Sequence, residues 1–213
     1  MVEELDDLQE GVLRHIQFFA SSAAISQFLP PLIAKYSETH PQVQIDLEEH
    51  VSEHVVIALR ERRSDIGVFV SGIDTEGLET QQFRTDELVL IMPQGHALTG
   101  KGPIEFAQTL DEQWISLNPG AAMLQQQLSA ARAQGKKLKL RMQVNSFDAV
   151  SHMVSSGLGI ALLPKATALP MVKSMKLVWR PLKDDWSHRT LLVGIRKDAD
   201  LDVKALRDYL LQS

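Results

Sequence analysis

Apolar residues recur along this chain with two periods, and the switches between them mark its elements. Val2, Leu5 and Leu8 stand three apart among acids and stop at Gly11, the pattern of a last helical turn closed by glycine. Residues 13–19 then read as a strand, and residues 21–37 as one helix carrying Pro30-Pro31 inside it. Val43-Gln44-Ile45-Asp46-Leu47-Glu48 alternates strictly, which suits a strand at a sheet edge or on a half-covered face. A helix over 52–62 turns Val55, Val56 and Leu59 inward. Ile66-Gly67-Val68-Phe69-Val70 is apolar on both faces, as a central parallel strand requires.

A second set opens with the doubly buried strand Leu88-Val89-Leu90-Ile91-Met92, halted by Pro93. A strand over 114–117 follows, then a helix over 121–133 presenting Met123, Leu124 and Leu128. Leu138, Leu140, Met142 and Val144 alternate with polar residues in a strand, and Phe147, Val150 and Val154 form a helical stripe. Strands over 160–163 and 191–195 precede a closing helix lined by Leu201, Leu206 and Leu210. Strands alternating with helices predict a mostly parallel sheet with crossover helices. The number of turn clusters exceeds what one compact sheet needs. Two α/β lobes are therefore expected, and without a low-complexity linker they should be joined by strand-like crossings.

Bulk composition narrows the function classes. The 213 residues are 44% apolar and 23% charged, an ordinary globular balance. The net charge of −5 argues against these residues gripping nucleic acid directly, because phosphate binding needs a basic face. The chain has no cysteine, which excludes disulfides, thiolate metal sites and cysteine nucleophiles and suits the cytoplasm. Its first residues are acidic, without the order of a signal peptide, and no apolar run approaches the ~20 residues that span a bilayer. A cytoplasmic protein without membrane association is expected.

Four strand-to-helix turns carry small polar residues: Ser21-Ser22, Ser52, Asn118-Pro119-Gly120 and Asn145-Ser146. Each fits an N-cap, and in α/β folds such turns lie at the carboxyl ends of strands, where ligands bind. Plain capping is the simpler account of any one of them, while four together point to a ligand cleft. Free N–H donors at helix starts would favour an anion there. His50 and His54 stand four apart, but one falls at a strand end and no third ligand is evident, so no metal is expected. There is no Gly-x-Ser-x-Gly elbow and no P-loop, and Gly157-Leu158-Gly159 precedes a strand instead of following one. No catalytic residue or cofactor is expected.

The order of several motifs resembles the effector-binding (substrate-binding) domain of LysR-type transcriptional regulators. Phe28-Leu29-Pro30-Pro31-Leu32 followed by His40-Pro41 is similar to that family's opening signature, and Arg62-Arg63-Ser64-Asp65-Ile66-Gly67 to its Gly-x-x-Asp-hydrophobic-Gly/Ala segment. The run from Leu88 to Leu98 resembles its crossing strand, with Ala97 in the usual proline place. Ser156-Gly157-Leu158-Gly159-Ile160-Ala161-Leu162-Leu163-Pro164 is similar to its Gly-x-Gly-Ile-x-Leu-Leu-Pro run.

The resemblance implies two Rossmann-like α/β subdomains joined by crossing strands, in the type 2 periplasmic-binding-protein-like arrangement, with a ligand cleft between them. Residues 1–10 would be a remnant of a linker helix, 11–85 with 190–213 subdomain I, and 86–189 subdomain II. It places the ligand site on Ser21, Ser22, Ala23, Ser52, Val70 and Ser71 of the first subdomain and on Asn118, Pro119, Phe147 and Val150 of the second. Ala23 departs from the hydroxyl many members carry. The implied partners are a small organic, carboxylate-bearing effector and a second copy of the chain, with a tetramer in the full-length protein. DNA would be bound only through a winged helix-turn-helix domain that this chain lacks. The other readings of the same fold are a transport-type solute-binding protein and a lyase or dehydratase.

Overall fold

The structure is a computed structural model and describes residues 14–117 and 122–212. The linker-helix remnant over 1–10, Asn118 and Pro119 therefore lie outside the described residues. The chain forms two compact units, Met1–Arg84 with Thr190–Ser213, and Thr85–Arg189.

Unit 1 is built from β1 (Arg14–Ala20), α1 (Ser22–Gln27), α2 (Leu29–Thr39), β2 (Val43–Glu49), α3 (Ser52–Arg60) and β3 (Ile66–Val70). Its sheet runs β2-β1-β3 and then β9 (His188–Arg196), and α7 (Leu201–Gln212) closes the chain. β1 is parallel to β2 and to β3, as expected, while β9 is antiparallel to β3, so the sheet is mostly parallel with one reversed strand. Alternation along the strands feeds two clusters: Phe18 and Val68 pack with Leu206 and Leu210, while Phe19 and Phe69 pack with Val55 and Leu59. Every residue of β3 is buried, as its two-faced apolar run predicts. The alternating strand β2 is the sheet's edge.

The single helix expected over 21–37 is two. Phe28 leaves helical geometry at φ −127°, ending α1 and serving as the N-cap of α2. Pro30 and Pro31 then occupy the first turn of α2, where a missing N–H costs nothing. In one continuous helix each ring would meet the carbonyl four residues back. Leu201, expected on the inner face of the closing helix, is 83% exposed at its first position, and Val203 is buried instead.

Two backbone amides in the second half of β1 are held by side chains from the residues just before β3. Asp65 Oδ2 accepts from Gln17 N at 3.0 Å, and Ser64 Oγ accepts from Phe19 N at 3.2 Å. This gives the Ser64-Asp65-Ile66-Gly67 motif a structural role in seating two parallel strands.

Unit 2 holds the end of β4 (Leu78–Pro93), β5 (Trp114–Leu117), α4 (Ala122–Ala133), β6 (Leu140–Val144), α5 (Phe147–Ser155), β7 (Ala161–Pro164), α6 (Lys165–Ser174) and β8 (Leu177–Pro181). β4 pairs antiparallel with β7 and β8, and β5 pairs parallel with β6. β4 starts ten residues before its apolar run, and α6 and β8 have no counterpart in the expected elements.

The Gly157–Gly159 run has a steric cause. Gly157 sits at φ +75°, and a Cβ on Gly159 would lie 2.4 Å from Gln113 O. That closeness lets Ile160 N donate to Gln113 O and Ile115 N donate to Ile160 O, each at 2.9 Å. The glycines therefore seat the start of β7 against the start of β5. Also in unit 2, Asp86 and Arg189 form a bidentate ion pair with both side chains almost fully buried, and Arg189 Nε donates to Asp86 Oδ1 at 2.8 Å.

Candidate functional site

In unit 1, three of the expected site segments follow adjacent strand ends. Ala20 at the end of β1 is in register with Glu49 of β2 and with Val68 of β3. The turns are tied together by backbone bonds: Ser21 N donates to Val68 O at 2.8 Å, and His50 N donates to Ala20 O at 2.9 Å. Ser71, after β3, donates its N–H to Thr190 O at 2.8 Å and is exposed. Thus Ser21–Ala23, Ser52 and Val70–Ser71 lie along one edge of the unit 1 sheet, at the carboxyl ends of its parallel strands.

Ser21 is the N-cap of α1, and its Oγ accepts from Ala24 N at 3.4 Å. Ser22 Oγ hydrogen-bonds the Glu49 carboxylate, and Ala23 is buried. Ser52 departs from its expected role. The N-cap of α3 is Val51, which has no side-chain cap bond, and Ser52 is the first helical residue. Its Oγ accepts from Val70 N at 3.1 Å. The reason lies in the sheet: β1 ends opposite Val68, so the next β3 amide on that side, Val70, has no strand partner and takes the Ser52 hydroxyl. Ser52 is 2% exposed, and its own hydroxyl proton has no acceptor among the described residues. The first N–H groups of α3 likewise have no intrahelical acceptor, and no Val51 side chain serves them.

Beside this edge the two histidines weighed as metal ligands form a ring cluster with Phe19. The rings of Phe19 and His50 lie 4.2 Å apart between centroids, tilted by 37°, and His50 and His54 meet edge-on at 4.4 Å. His50 Nε2 pairs with Glu48 at 2.9 Å, and His54 Nε2 lies 2.9 Å from Arg63 Nη1. Burial, then the neighbouring His50 and Arg63 charges, hold the His54 pKa below its ordinary value, against the pull of Glu61 and Glu48. Among the described residues no group of three or more His, Asp or Glu could hold a metal ion.

In unit 2, Ser146 caps α5 as expected, its Oγ accepting from Ala149 N at 3.2 Å. Leu117 is in register with Val144, so the turn before α5 follows the strand beside β5. Phe147 and Val150 are buried members of the unit 2 core. Sequence reading missed Gln127, which is fully buried and accepts from Ser116 Oγ at 3.1 Å. Its Nε2 is buried with no partner among the described residues. The signal was available: Met123, Leu124, Gln127 and Ala131 make the inward face of α4, where Leu128 is only half-buried.

This α/β architecture is of the type 2 periplasmic-binding-protein-like class, and solved structures share it. The regulatory domain of CcmR from Synechocystis PCC6803, in complex with 2-PG, aligns with a TM-score of 0.83 at 18% identity, covering 93% of this chain and 96% of that one. The effector-binding domain of BenM with benzoate aligns with a TM-score of 0.77 at 22% identity, covering 94% and 92%. The QuiR effector-binding domain with shikimate gives 0.79 at 17%, covering 93% and 95%. The LysR substrate binding domain model matches residues 9–213, and the chain belongs to that family.

Among curated relatives, a probable RuBisCO transcriptional regulator of Trichormus variabilis is 28% identical over 196 residues, 89% of this chain and 57% of that protein. The HTH-type transcriptional regulator CysL of Bacillus subtilis is 25% identical over 148 residues, 69% of this chain and 50% of that protein. The chain thus spans about half the length of these relatives. No helix among the described residues is long and apolar enough to cross a membrane.

Proposed function

We propose that this chain is the sensing domain of a cytoplasmic DNA-binding transcription regulator, that it binds a small carboxylate-bearing molecule, and that it catalyses no reaction. The carrying observation is Ser52: a buried hydroxyl that accepts from Val70 N and retains an unused proton at the start of α3. A hydroxyl donor beside unserved helix N–H groups is chemistry that recognises a carboxylate oxygen. The Ser22 hydroxyl already holds one carboxylate, that of Glu49, and a ligand would replace it. Benzoate and shikimate, named with two of the structural relatives, are carboxylates.

The ligand residues are Ser21, Ser22, Ala23, Ser52, Val70 and Ser71 in unit 1. In unit 2 they are Asn118 and Pro119, with Phe147 and Val150 as apolar support. DNA contact belongs to a helix-turn-helix domain outside these residues, as the names of the relatives suggest. The domain acts as a homodimer, within a tetramer of the full-length protein, and the edge strand β2 together with α2 around Leu32 forms its self-complementary face.

The test is a thermal-shift screen of carboxylates, amino acids and inorganic oxyanions. A ligand at about 100 times its Kd adds about 2.7 kcal/mol to the folded state. The expected hit is a carboxylate whose shift is lost in Ser22→Ala and strengthened in Glu49→Gln, which removes the internal competitor. A carboxylate shift unchanged by both substitutions would refute the site.

A further inference from the structure

The C-terminal end of α3 carries an unusual residue. Arg62 sits at φ +61°, the left-handed conformation that usually follows a helix as glycine. The helix end is closed around it, with Arg63 N donating to Ala58 O at 2.9 Å and Arg62 N to Leu59 O at 3.3 Å. Any L side chain there is strained, and glycine would relieve the strain. The backbone thus gives no reason for arginine at this position, so the reason must lie in its side chain.

Arg62 lines an open cavity of about 330 Å³ in unit 1, together with Arg60, Gly77, Leu78, Arg196, Lys197 and Asp198. Its lining holds four cations and one acid, Asp198, while Asp74 and Asp65 behind it pair with Arg60 and with Arg196 Nη2, the latter at 3.4 Å. Each arginine is held from behind and keeps a donor in hand. Arg60 spends Nε on Glu76 O at 3.1 Å and Nη2 on Asp74, leaving Nη1 uncommitted among the described residues. Arg196 Nη1 donates to Ser64 O at 2.7 Å, while its Nε is buried with no hydrogen-bond partner, 3.6 Å from Asp198 Oδ1. Arg62 gives only Nη2, to Asp198, and Lys197 has no partner among the described residues. Guanidinium forks fixed through their other nitrogens suit a planar or tetrahedral oxyanion better than a halide.

We infer that this cavity is a second ligand site, taking a phosphate group. It is independent of the carboxylate site above, since none of its lining residues belongs to that site. Inorganic phosphate and a small phosphomonoester share the recognised chemistry, and the cavity has room for the body of the latter.

The test is an amide-shift NMR titration of the chain with inorganic phosphate and with phenyl phosphate, at constant ionic strength. It compares the native protein with Arg62→Gly and Lys197→Gln. Saturable shifts at Arg62, Gly77 and Lys197 are expected, with binding at least about tenfold weaker in each variant. Arg62→Gly should melt no lower than the native protein. Tighter binding of phenyl phosphate would identify the ligand as a phosphomonoester, and equal binding would identify free phosphate. The inference is overturned if the shifts do not saturate or persist unchanged in Arg62→Gly. It is also overturned if that variant melts markedly lower, because Arg62 would then be retained for its Asp198 ion pair. None of these outcomes bears on Ser52 or Ser22, so the carboxylate reading stands or falls separately.

Discussion

Ser52→Ala should destabilise unit 1 with no ligand present. The substitution removes the acceptor of a buried amide: Val70 is 4% exposed, and its N–H donates to Ser52 Oγ at 3.1 Å. No strand can take over, because β1 has ended and β9 is engaged on the other side, where Ser71 N meets Thr190 O. Leaving one buried donor unpaired costs about 1–3 kcal/mol. At roughly 2–4 °C per kcal/mol for a chain of this size, the melting point should fall by roughly 2–12 °C. Ser52→Thr keeps the acceptor and should recover most of that loss. Urea unfolding followed by circular dichroism, with the m-value unchanged, measures both variants. A Ser52→Ala protein within about 0.5 kcal/mol of the native one would refute the reasoning, since that is the range of an inconsequential surface change. The result also disciplines the ligand experiment: lost binding in Ser52→Ala must be judged against this loss of fold, whereas Ser22 is free of that difficulty.

Much of the fold was legible because the signals are local. The two-faced apolar run of residues 66–70 specified a fully buried strand, and the inward set Val55, Val56 and Leu59 specified α3. Apart from the helix break at Phe28, which Pro30-Pro31 impose locally, most of what failed depended on partners distant in sequence. The antiparallel direction of β9 is set by where the chain returns, which no local period encodes. The polar half of β4 reads as loop because its strand character comes from pairing and not from burial. The candidate site divides in the same way. Ser21 and Ser146 were readable as caps because capping is a contact across three residues. The role of Ser52 was not, because its partner Val70 lies eighteen residues away and is chosen by where β1 stops. Position 62 was legible as the end of a helix, but the left-handed backbone of Arg62 was not, since arginine carries no turn preference that announces it.

Three further outcomes follow from packing and charge. Arg189→Met should cost about 3–5 kcal/mol by leaving the Asp86 carboxylate buried without its counter-ion. The double variant with Asp86→Leu should recover much of that, as read by denaturant midpoints. Gly159→Ala should lower the melting point more than Gly157→Ala, because its methyl would meet Gln113 O at 2.4 Å while Gly157 has open space around it. The last concerns acid. His54 has its pKa lowered chiefly by burial, helped by the charges of His50 and Arg63. The unfolded chain therefore takes up a proton near pH 6.5 that the folded state resists. The stability this neutral histidine permits is fully present above that pH, and it drains away as pH falls towards the lower folded-state pKa. His54→Asn should flatten the stretch of the stability profile just below about pH 6.5 without altering the neutral plateau's shape. An unchanged slope in the variant would mean that the proton uptake belongs to another group, and that the edge-on histidine pair beside Phe19 is no acid-sensitive element of unit 1.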